Sequence, residues 1–357
     1  MNKENLFIDV PSKVHKSCPF DISVSQRGFG KTYSVLKHFT HGGCKKKFML
    51  MRRTQDELDL LMDADGVESP SNPFKAINED TGTHISIKRV NKKMGAICEH
   101  EYVTDEETHI TKMIYGKVIG YACSLSTIAN LRGMDFSDVD TLCYDEFIPE
   151  KHIKKIANEG EAFLNAYETI NRNRELKGDE PVRVFLLANA NDIVSPILQV
   201  LGLSTTVERM QRNGTEHMYL DERGIALHLY KSEGKKFTSE KAKTQLYKAT
   251  RGTRFSEMAL ENKFAYNDMS LVRYEQLSGY SPVCALDDAY IYKKKGERRI
   301  YVTYSPTQKV PIFHSQVEQE VRLFMQTYGL EVYNCFLRSM VSFETYDLKS
   351  KVLDVIL

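Results

Sequence analysis

The chain has 357 residues, more than one domain usually holds, so we expect a large domain joined to at least one smaller one. A formal net charge of +1 excludes a strong overall attraction to nucleic acid, which leaves local basic patches as the means of any such contact. No segment approaches the roughly 18 apolar residues of a membrane span, and seven scattered cysteines without C-x-x-C spacing indicate a reducing compartment, so we expect a cytoplasmic protein with no membrane partner.

Short apolar runs alternate with helical stretches through the first half of the chain. This pattern predicts an α/β fold with a mostly parallel sheet flanked by helices. The predicted strands are residues 20–24, 47–51, 117–123, 141–144 and 182–188, and the predicted helices are residues 32–39, 54–62 and 159–171. Residues 82–122 alternate in polarity, which predicts an antiparallel hairpin added to the parallel strands.

The first predicted strand leads into VSQRGFGKTYSV (residues 24–35), which is nearly a phosphate-binding loop. Such a loop wraps a polyphosphate closely enough to require glycine at its tight positions, here Gly28 and Gly30. Lys31 would carry charge to the phosphates of ATP, and Thr32 would offer a hydroxyl to Mg²⁺. The usual pattern begins with glycine where this chain has serine, and we expect a modest distortion with binding retained. The predicted nucleotide-binding segment is Ser25, Gln26, Arg27, Gly28, Phe29, Gly30, Lys31 and Thr32; from the motif alone, a glycine turn ahead of a structural helix is the alternative.

A later apolar strand, in TLCYDEF (residues 141–147), ends in two adjacent carboxylates. Ligands collect at the carboxyl edge of a parallel sheet, so we expect this pair to lie beside the loop. Asp145 would hold Mg²⁺, and Glu146 would orient and deprotonate the attacking water, as a hydrolase requires. A solvated turn is the alternative.

Two further segments supply candidate catalytic residues. Asn189 ends the next apolar strand, VFLLANAN, where its amide would touch the γ-phosphate and the lytic water; a plain strand terminator is equally consistent with the sequence. In ETINRNRE, Arg172 and Arg174 lie near a helix end, where one would reach a neighbouring subunit's γ-phosphate. A basic patch at a helix carboxyl terminus is the alternative.

The chain becomes basic after about residue 215. Residues 231–254 contain eight lysines or arginines and two glutamates, a net charge of about +6. A solvated connector is one interpretation, and a nucleic-acid contact is the other. The final stretch contains AYIYKKKGERRIYVTYS, which predicts a hairpin turning at residues 295–297, and then an amphipathic helix over residues 316–328, giving a small α+β domain.

Several of these blocks resemble the DNA-packaging ATPase of small tailed podophages of the Bacillus-phage (Picovirinae) type. The blocks SQRGFGKTY, FMLMRRTQDEL, TLCYDEF, INRNRE followed by LLANA, and RGTRFSEMALENKF occur in the same order as in that family, over roughly residues 20–265. The resemblance implies a P-loop ATPase domain of the additional-strand, catalytic-glutamate class (residues 1–217), a small linker or lid domain (218–266) and a C-terminal ribonuclease-H-like domain without nuclease activity (267–357).

The resemblance also implies site residues and partners. Lys31 and Thr32 match the phosphate loop, Asp145 the metal-coordinating acid, Glu146 the catalytic acid and Arg172 the arginine that acts in trans. By the same resemblance, Arg52 and Arg53 lie near the nucleotide, Arg27 couples the loop to Glu146, and Gln55 stands where relatives carry a lysine. The implied function is translocation of double-stranded DNA into an empty capsid by a homomeric ring of about five subunits at the portal, in the host cytoplasm and not in the mature virion; a packaging RNA is a further partner in this family. With this function, the candidate DNA contacts are Arg132, Lys235, Lys236, Lys241 and Lys243.

Two other classes of function remain open at the sequence level. One is a terminase-like protein with an active nuclease, although the spacing of Asp287, Asp288, Glu318, Glu320, Asp347 and Asp354 singles out no active site. The other is a nucleotide-gated protein or small-molecule phosphotransferase that is not a motor.

Overall fold

The computed structural model describes residues 7–64, 66–104, 106, 109, 111–131, 133–150, 153, 156–231, 235–253, 256, 259–260 and 267–357, without the side chains of 129–131. It divides into two compact units, one formed by the described residues within 1–201 and 210–265 and the other by those within 202–209 and 266–357. No helix in this described part of the chain is long and apolar enough to cross a bilayer.

The first unit is built on a nine-stranded mixed sheet. Its strands are β1 (Phe20–Ser25), β2 (Lys47–Arg52), β3 (Ile85–Asn91), β4 (Met94–Thr104), β5 (Thr111–Ser124), β6 (Val139–Asp145), β7 (Arg183–Asn189), β8 (His217–Leu220) and β9 (Ile225–Leu229). They are arranged in the order β3-β4-β5-β2-β6-β7-β1-β9-β8. The six strands from β5 to β9 in this order pair in parallel, and antiparallel strands extend both ends.

The helices of the first unit connect these strands and cover the sheet. They are α1 (Lys31–His38), α2 (Gln55–Leu61), α3 (Lys75–Thr81), α4 (Glu159–Asn171), α5 (Pro196–Val200), α6 (Ser204–Asn213), α7 (Lys235–Ala242) and α8 (Gln245–Ala249), of which α6 spans the boundary between the units. A capping box fixes the start of α2, because Thr54 Oγ1 accepts from the Glu57 amide at 3.3 Å and Glu57 Oε2 accepts from the Thr54 amide at 3.5 Å. Aromatic packing joins helix to sheet: the Phe39 ring lies 5.1 Å from that of Phe48 and 5.3 Å from that of Phe185.

The predicted parallel strands and helices agree with the structure to within a residue or two at most ends, because their buried apolar runs are strong local signals. The predicted domain boundary at residue 217 does not coincide with a structural one. The hairpin of β8 and β9 continues the large sheet, since β9 pairs in parallel with β1 from Phe20 to Val24. The described residues 235–253 also cluster with this sheet.

The second unit has a five-stranded mixed sheet. Its strands are β10 (Tyr280–Leu286), β11 (Ala289–Lys294), β12 (Ile300–Thr303), β13 (Ile312–Phe313) and β14 (Val341–Phe343), in the order β13-β10-β11-β12-β14. The predicted hairpin is the antiparallel pair β11 and β12. In place of the helix predicted over residues 316–328, the structure has a longer helical stretch, in which α9 (Glu318–Phe324) continues through a π-helical turn (Met325–Gly329) into α10 (Leu330–Leu337). A further helix, α11 (Tyr346–Ile356), follows near the end of the chain.

Candidate functional site

The glycine loop joins the carboxyl end of β1 to the amino end of α1. Gly28 and Gly30 have φ angles of 74° and 92°, in the left-handed region that other residues rarely adopt. Ser25 and Gln26 are buried beneath the loop. Ser25 still belongs to β1 and has no positive φ angle, so a serine fits this position without backbone strain.

The ammonium group of Lys31 lies at the centre of the loop. Its Nζ donates to Ser25 Oγ at 3.0 Å, to the Gln26 carbonyl at 3.2 Å and to Asn189 Oδ1 at 3.0 Å. Burial lowers the pKa of Lys31 to about 8, although the nearby carboxylates of Asp145 and Glu146 act in the opposite direction. The lysine is thus held by neutral oxygens that the oxygens of a bound phosphate would replace.

The two carboxylates at the end of β6 lie beside this loop, as the sequence predicted. Thr32 Oγ1 donates to Asp145 Oδ1 at 2.9 Å, and Asp145 is buried, whereas Glu146 is half-exposed. Burial raises the pKa of Asp145, and the neighbouring Arg52 guanidinium opposes that rise. Glu146 has a φ angle of 59°, a strained conformation that proteins retain chiefly at functional sites.

Thr32 and Asp145 form a donor set that fits Mg²⁺. The ion prefers oxygen ligands at about 2.1 Å in octahedral geometry, which sets adjacent ligand oxygens roughly 2.9 Å apart. The Thr32 hydroxyl and the Asp145 carboxylate oxygen have this separation, at 2.9 Å. A cavity of about 260 Å³ opens beside them and is lined by residues 27–33, Asp145, Glu146, Ala188 and Asn189.

Arg52, at the end of β2, joins the two acids. Its Nη1 donates to Asp145 Oδ2 at 2.8 Å and its Nη2 to Glu146 Oε2 at 2.5 Å. Arg52 thus lies beside the acids of the site, while its predicted nearness to the nucleotide stays a prediction. Its guanidinium neutralises the carboxylate that was expected to act as the base, a contact that the sequence did not indicate.

Arg53 and Arg27 each pair with a glutamate other than Glu146. Arg53 forms a bidentate pair with Glu159, at 2.7 and 2.8 Å, in which both side chains are almost fully buried. This pair joins α4 to the end of β2, and Arg53 also lines a second cavity together with Glu146 and Asn189, so its nearness to the nucleotide stays a prediction. Arg27 pairs with Glu150 at 3.0 Å rather than with Glu146, because its side chain turns outward.

Phe29 contributes its backbone to the cavity and its side chain to the core. The ring is 2% exposed and lies 5.1 Å from the ring of Phe237 on α7.

Arg172 lies at the opposite edge of the sheet from the loop. Helix α4 begins at Glu159, beside the carboxyl end of β2, and ends at Asn171, whose Oδ1 accepts from the Val182 amide just before β7 begins. Arg172 follows with a φ angle of 47° and a partly exposed side chain that pairs with Asp135 at 3.4 Å. In the described structure, Arg172 makes no contact with the glycine loop of its own chain. The neighbouring Arg174 is buried against the carbonyls of Phe136, Ser137 and Val139, which makes it a structural residue.

The candidate DNA contacts divide into two groups. Lys235, Lys236 and Lys243 are exposed on and just after α7, as a nucleic-acid contact requires. Lys241 is half-buried and its ammonium points at the glycine loop, donating to the Arg27 carbonyl. Arg132 lies outside the described residues.

The acids of the second unit are held by protein partners. Lys351 Nζ lies 3.0 Å from Asp288 Oδ1 and 3.0 Å from Asp347 Oδ2, so an ammonium joins these carboxylates. Asp287 Oδ1 accepts from the Ser315 amide at 3.1 Å, and Glu318 pairs with Arg322 at 2.5 Å. Within the described part of this unit, no three His, Cys, Asp or Glu side chains approach closely enough to share a metal ion; the group that does so in the described chain is His15, Cys18 and Asp221, in the first unit.

Together these features define an α/β protein with a mixed sheet, in which a glycine loop, a buried lysine and two carboxylates meet at the carboxyl edge. The family described as podovirus DNA encapsidation protein (Gp16) matches residues 90–281, more than half of the chain. The chain belongs to this family.

Individual relatives agree with this assignment. The chain is 27% identical over 247 residues to the DNA packaging protein of Bacillus phage B103, which covers 68% of this chain and 63% of that protein. It is 28% identical over 246 residues to the DNA packaging protein of Bacillus phage phi29, covering 68% of this chain and 60% of that protein. The matched segment thus spans less than two thirds of these relatives. In fold, the chain resembles a chain of the bacteriophage Phi-29 viral genome packaging motor assembly, with a TM-score of 0.62 and 20% identity over 98% of each chain.

Proposed function

We propose that this protein is an ATP-hydrolysing motor that moves double-stranded DNA into a preformed viral capsid as a homomeric ring. The observation that carries the proposal is the meeting of Lys31, Thr32, Asp145 and Glu146 around one cavity at the carboxyl edge of the sheet, in a chain of the DNA encapsidation family. In finer terms, the first unit is a P-loop ATPase of the additional-strand, catalytic-glutamate class. The parallel order β5-β2-β6-β7-β1, with the loop on β1 and the acids on the strand two places away, supports this class.

In the proposed mechanism, the backbone N–H groups of the loop and the Lys31 ammonium bind the phosphates of ATP. Thr32 and Asp145 would hold Mg²⁺, whose charge offsets the negative charge that develops on the phosphate oxygens. Glu146 accepts a proton from a water that attacks the γ-phosphorus, the bond to the β-phosphate oxygen breaks, and ADP and phosphate are released. Asn189 would contact the γ-phosphate and this water, and its hydrogen bond to Lys31 supports this role.

Arg52 regulates the base in this scheme. Its contact with Glu146 Oε2 at 2.5 Å occupies one of the two carboxylate oxygens and stabilises the charged form, so Glu146 becomes a stronger base when that contact is broken. Arg172 acts on the nucleotide of the adjacent subunit. Its position at the edge remote from its own loop supports action in trans and a ring in which each subunit completes its neighbour's site. Binding and loss of γ-phosphate would then tighten and loosen the subunit interface.

The exposed lysines of the α7 segment are the proposed DNA contacts. Lys235, Lys236 and Lys243 would bind backbone phosphates, since a motor must accept any sequence. The second unit is proposed to be a ribonuclease-H-like domain that serves docking or DNA binding without cleavage, in keeping with the ammonium of Lys351 between Asp288 and Asp347. The proposed partners are the portal of the procapsid in the host cytoplasm, a ring of five subunits and a packaging RNA.

The direct test measures phosphate release with and without double-stranded DNA, followed by encapsidation of DNA into empty procapsids in the presence of external nuclease. Hydrolysis that DNA accelerates, and that Lys31→Ala abolishes, supports the motor. Hydrolysis indifferent to DNA would instead favour a nucleotide-gated protein or a phosphotransferase. Linearisation of supercoiled DNA in Mn²⁺ would show an active nuclease and overturn the proposal for the second unit.

A further inference from the structure

A second lysine approaches the glycine loop from the other side. Lys241, at the end of α7, donates from Nζ to the carbonyl of Arg27 and to that of Ala259 at 3.3 Å. A β-carbon built on Gly28 would lie 3.8 Å from this Nζ, so the ammonium stands directly over the tight turn of the loop. The sequence placed Lys241 among the DNA contacts because it lies in a run of basic residues.

Aromatic rings hold the stem and the charge of Lys241 in this position. Nζ lies 5.2 Å from the centroid of the Phe237 ring and 5.0 Å from that of the Tyr247 ring, within cation–π range of both. Phe237 in turn packs on the loop through Phe29. The Gln26 side-chain amide also contacts Thr238 Oγ1 at 3.5 Å, so helix α7 rests on the loop over most of its length.

The charges around the loop indicate an anion as the missing partner. Lys31 and Lys241 both bring an ammonium group to carbonyls of the loop, and the Arg27 guanidinium lowers the pKa of Lys241. Burial is the larger effect and, with Arg27, lowers the pKa of Lys241 to about 8. Glu150 compensates the charge of Arg27, whereas the Lys241 ammonium contacts two carbonyls and two aromatic rings in the described structure. A polyphosphate in the loop would compensate both lysines.

We propose that Lys241 is a second phosphate-binding lysine, which contacts the bound nucleotide over Gly28 and so ties helix α7 to the nucleotide state. This inference rests on the proposed nucleotide-binding function of the loop. It makes α7 a mechanical link, because the same segment bears the exposed Lys235, Lys236 and Lys243. When the phosphates leave, the ammonium returns to the loop carbonyl and the DNA-facing lysines move with the helix.

Lys248, seven residues further on in α8, is a matched control. Its side chain is exposed to solvent, and it is not among the proposed DNA contacts. Replacing either lysine removes one positive charge from the same segment. A general loss of charge would therefore affect both variants alike, whereas a phosphate contact is specific to Lys241.

The test titrates a fluorescent ATP analogue into wild type, Lys241→Met, Lys241→Arg, Lys248→Met and Lys31→Ala, each confirmed as folded by thermal unfolding. Methionine keeps an apolar side chain of similar length beside the two rings, so a loss of affinity in Lys241→Met reports the loss of the charge. We expect Lys241→Met to raise Kd about tenfold or more, as for a charge-assisted hydrogen bond, Lys241→Arg to stay within about threefold of wild type, and Lys248→Met to be unchanged.

The outcomes separate this inference from the function on which it rests. If wild type binds the analogue and Lys31→Ala does not, while Lys241→Met binds as tightly as wild type, the loop is a nucleotide site and the role of Lys241 is refuted. If Lys241→Met and Lys248→Met lose affinity equally, the effect is one of net charge, and the inference is again refuted. If wild type fails to bind, both the proposed function and this inference fall.

Discussion

The buried ion pair of Arg53 and Glu159 gives the most direct test of whether Arg53 has a structural role. Both side chains are at most 2% exposed and are joined by two hydrogen bonds of 2.7 and 2.8 Å. Replacing Glu159 with Leu leaves the guanidinium buried without a carboxylate, which costs about 3–5 kcal/mol in the free energy of unfolding. For a domain of this size, about 1 kcal/mol corresponds to roughly 2–4 °C in Tm, so the expected loss is roughly 6–20 °C.

Thermal unfolding of four proteins measures this effect: wild type, Arg53→Met, Glu159→Leu and the double variant. Because two apolar side chains of similar volume pack where the ion pair lay, the double variant should recover most of the stability that either single change loses. The control is Arg89→Met, which breaks a pair with Asp59 at the same 2.7 Å but with side chains 39% and 41% exposed. That exposed pair should contribute at most about 1 kcal/mol.

The contrary result is equally clear. If Arg53→Met weakens binding of ATP while its Tm stays within a degree or two of wild type, Arg53 is a nucleotide contact, as the sequence predicted, and its pairing with Glu159 has little energetic weight. Equal Tm losses in the buried and the exposed variants would also refute the argument from burial.

Three further predictions concern catalysis, assembly and pH. Glu146→Gln should retain ATP binding and slow turnover by about 10²–10⁴-fold, because the amide cannot accept the proton; turnover within threefold of wild type would exclude it as the base. Arg172→Ala should slow hydrolysis by about 10³-fold or more, and mixing it with Glu146→Gln should restore activity, since each subunit supplies what its neighbour lacks; mixtures as inactive as their components would refute action in trans. Hydrogen bonds from Ser270 and then from Lys349 lower the pKa of Asp268 to about 2. The ionised Asp268 carboxylate therefore stabilises the folded state fully above its unfolded pKa near 4, and this stabilisation is lost as the pH falls toward 2. Asp268→Asn should therefore unfold at lower urea than wild type at pH 6 and should show a weaker dependence of the urea midpoint on pH between 4 and 2; parallel pH dependences would contradict this assignment.

Two pairs of like residues show what a local sequence pattern cannot predict. Arg52 is the last residue of β2 and Arg53 follows it, yet Arg52 joins Asp145 to Glu146 and Arg53 pairs with Glu159. The chain leaves the strand between them, so the partners of each arginine depend on which elements pack around it. Lys241 and Lys243 differ in the same way, because one lies under the aromatic rings of its own segment and the other faces solvent.

The sequence by itself determined the parallel strands, the glycine loop and the acids that follow β6, and it predicted that they would meet. Buried parallel strands are continuous apolar runs, and a tight phosphate loop tolerates few residues, so short stretches of sequence carry these features. Only the tertiary structure decided that β8 and β9 extend the sheet, that Arg172 lies at the edge away from its own loop, and that Lys241 stands over Gly28. These facts depend on contacts between residues as much as 214 positions apart, which no local window of the sequence contains.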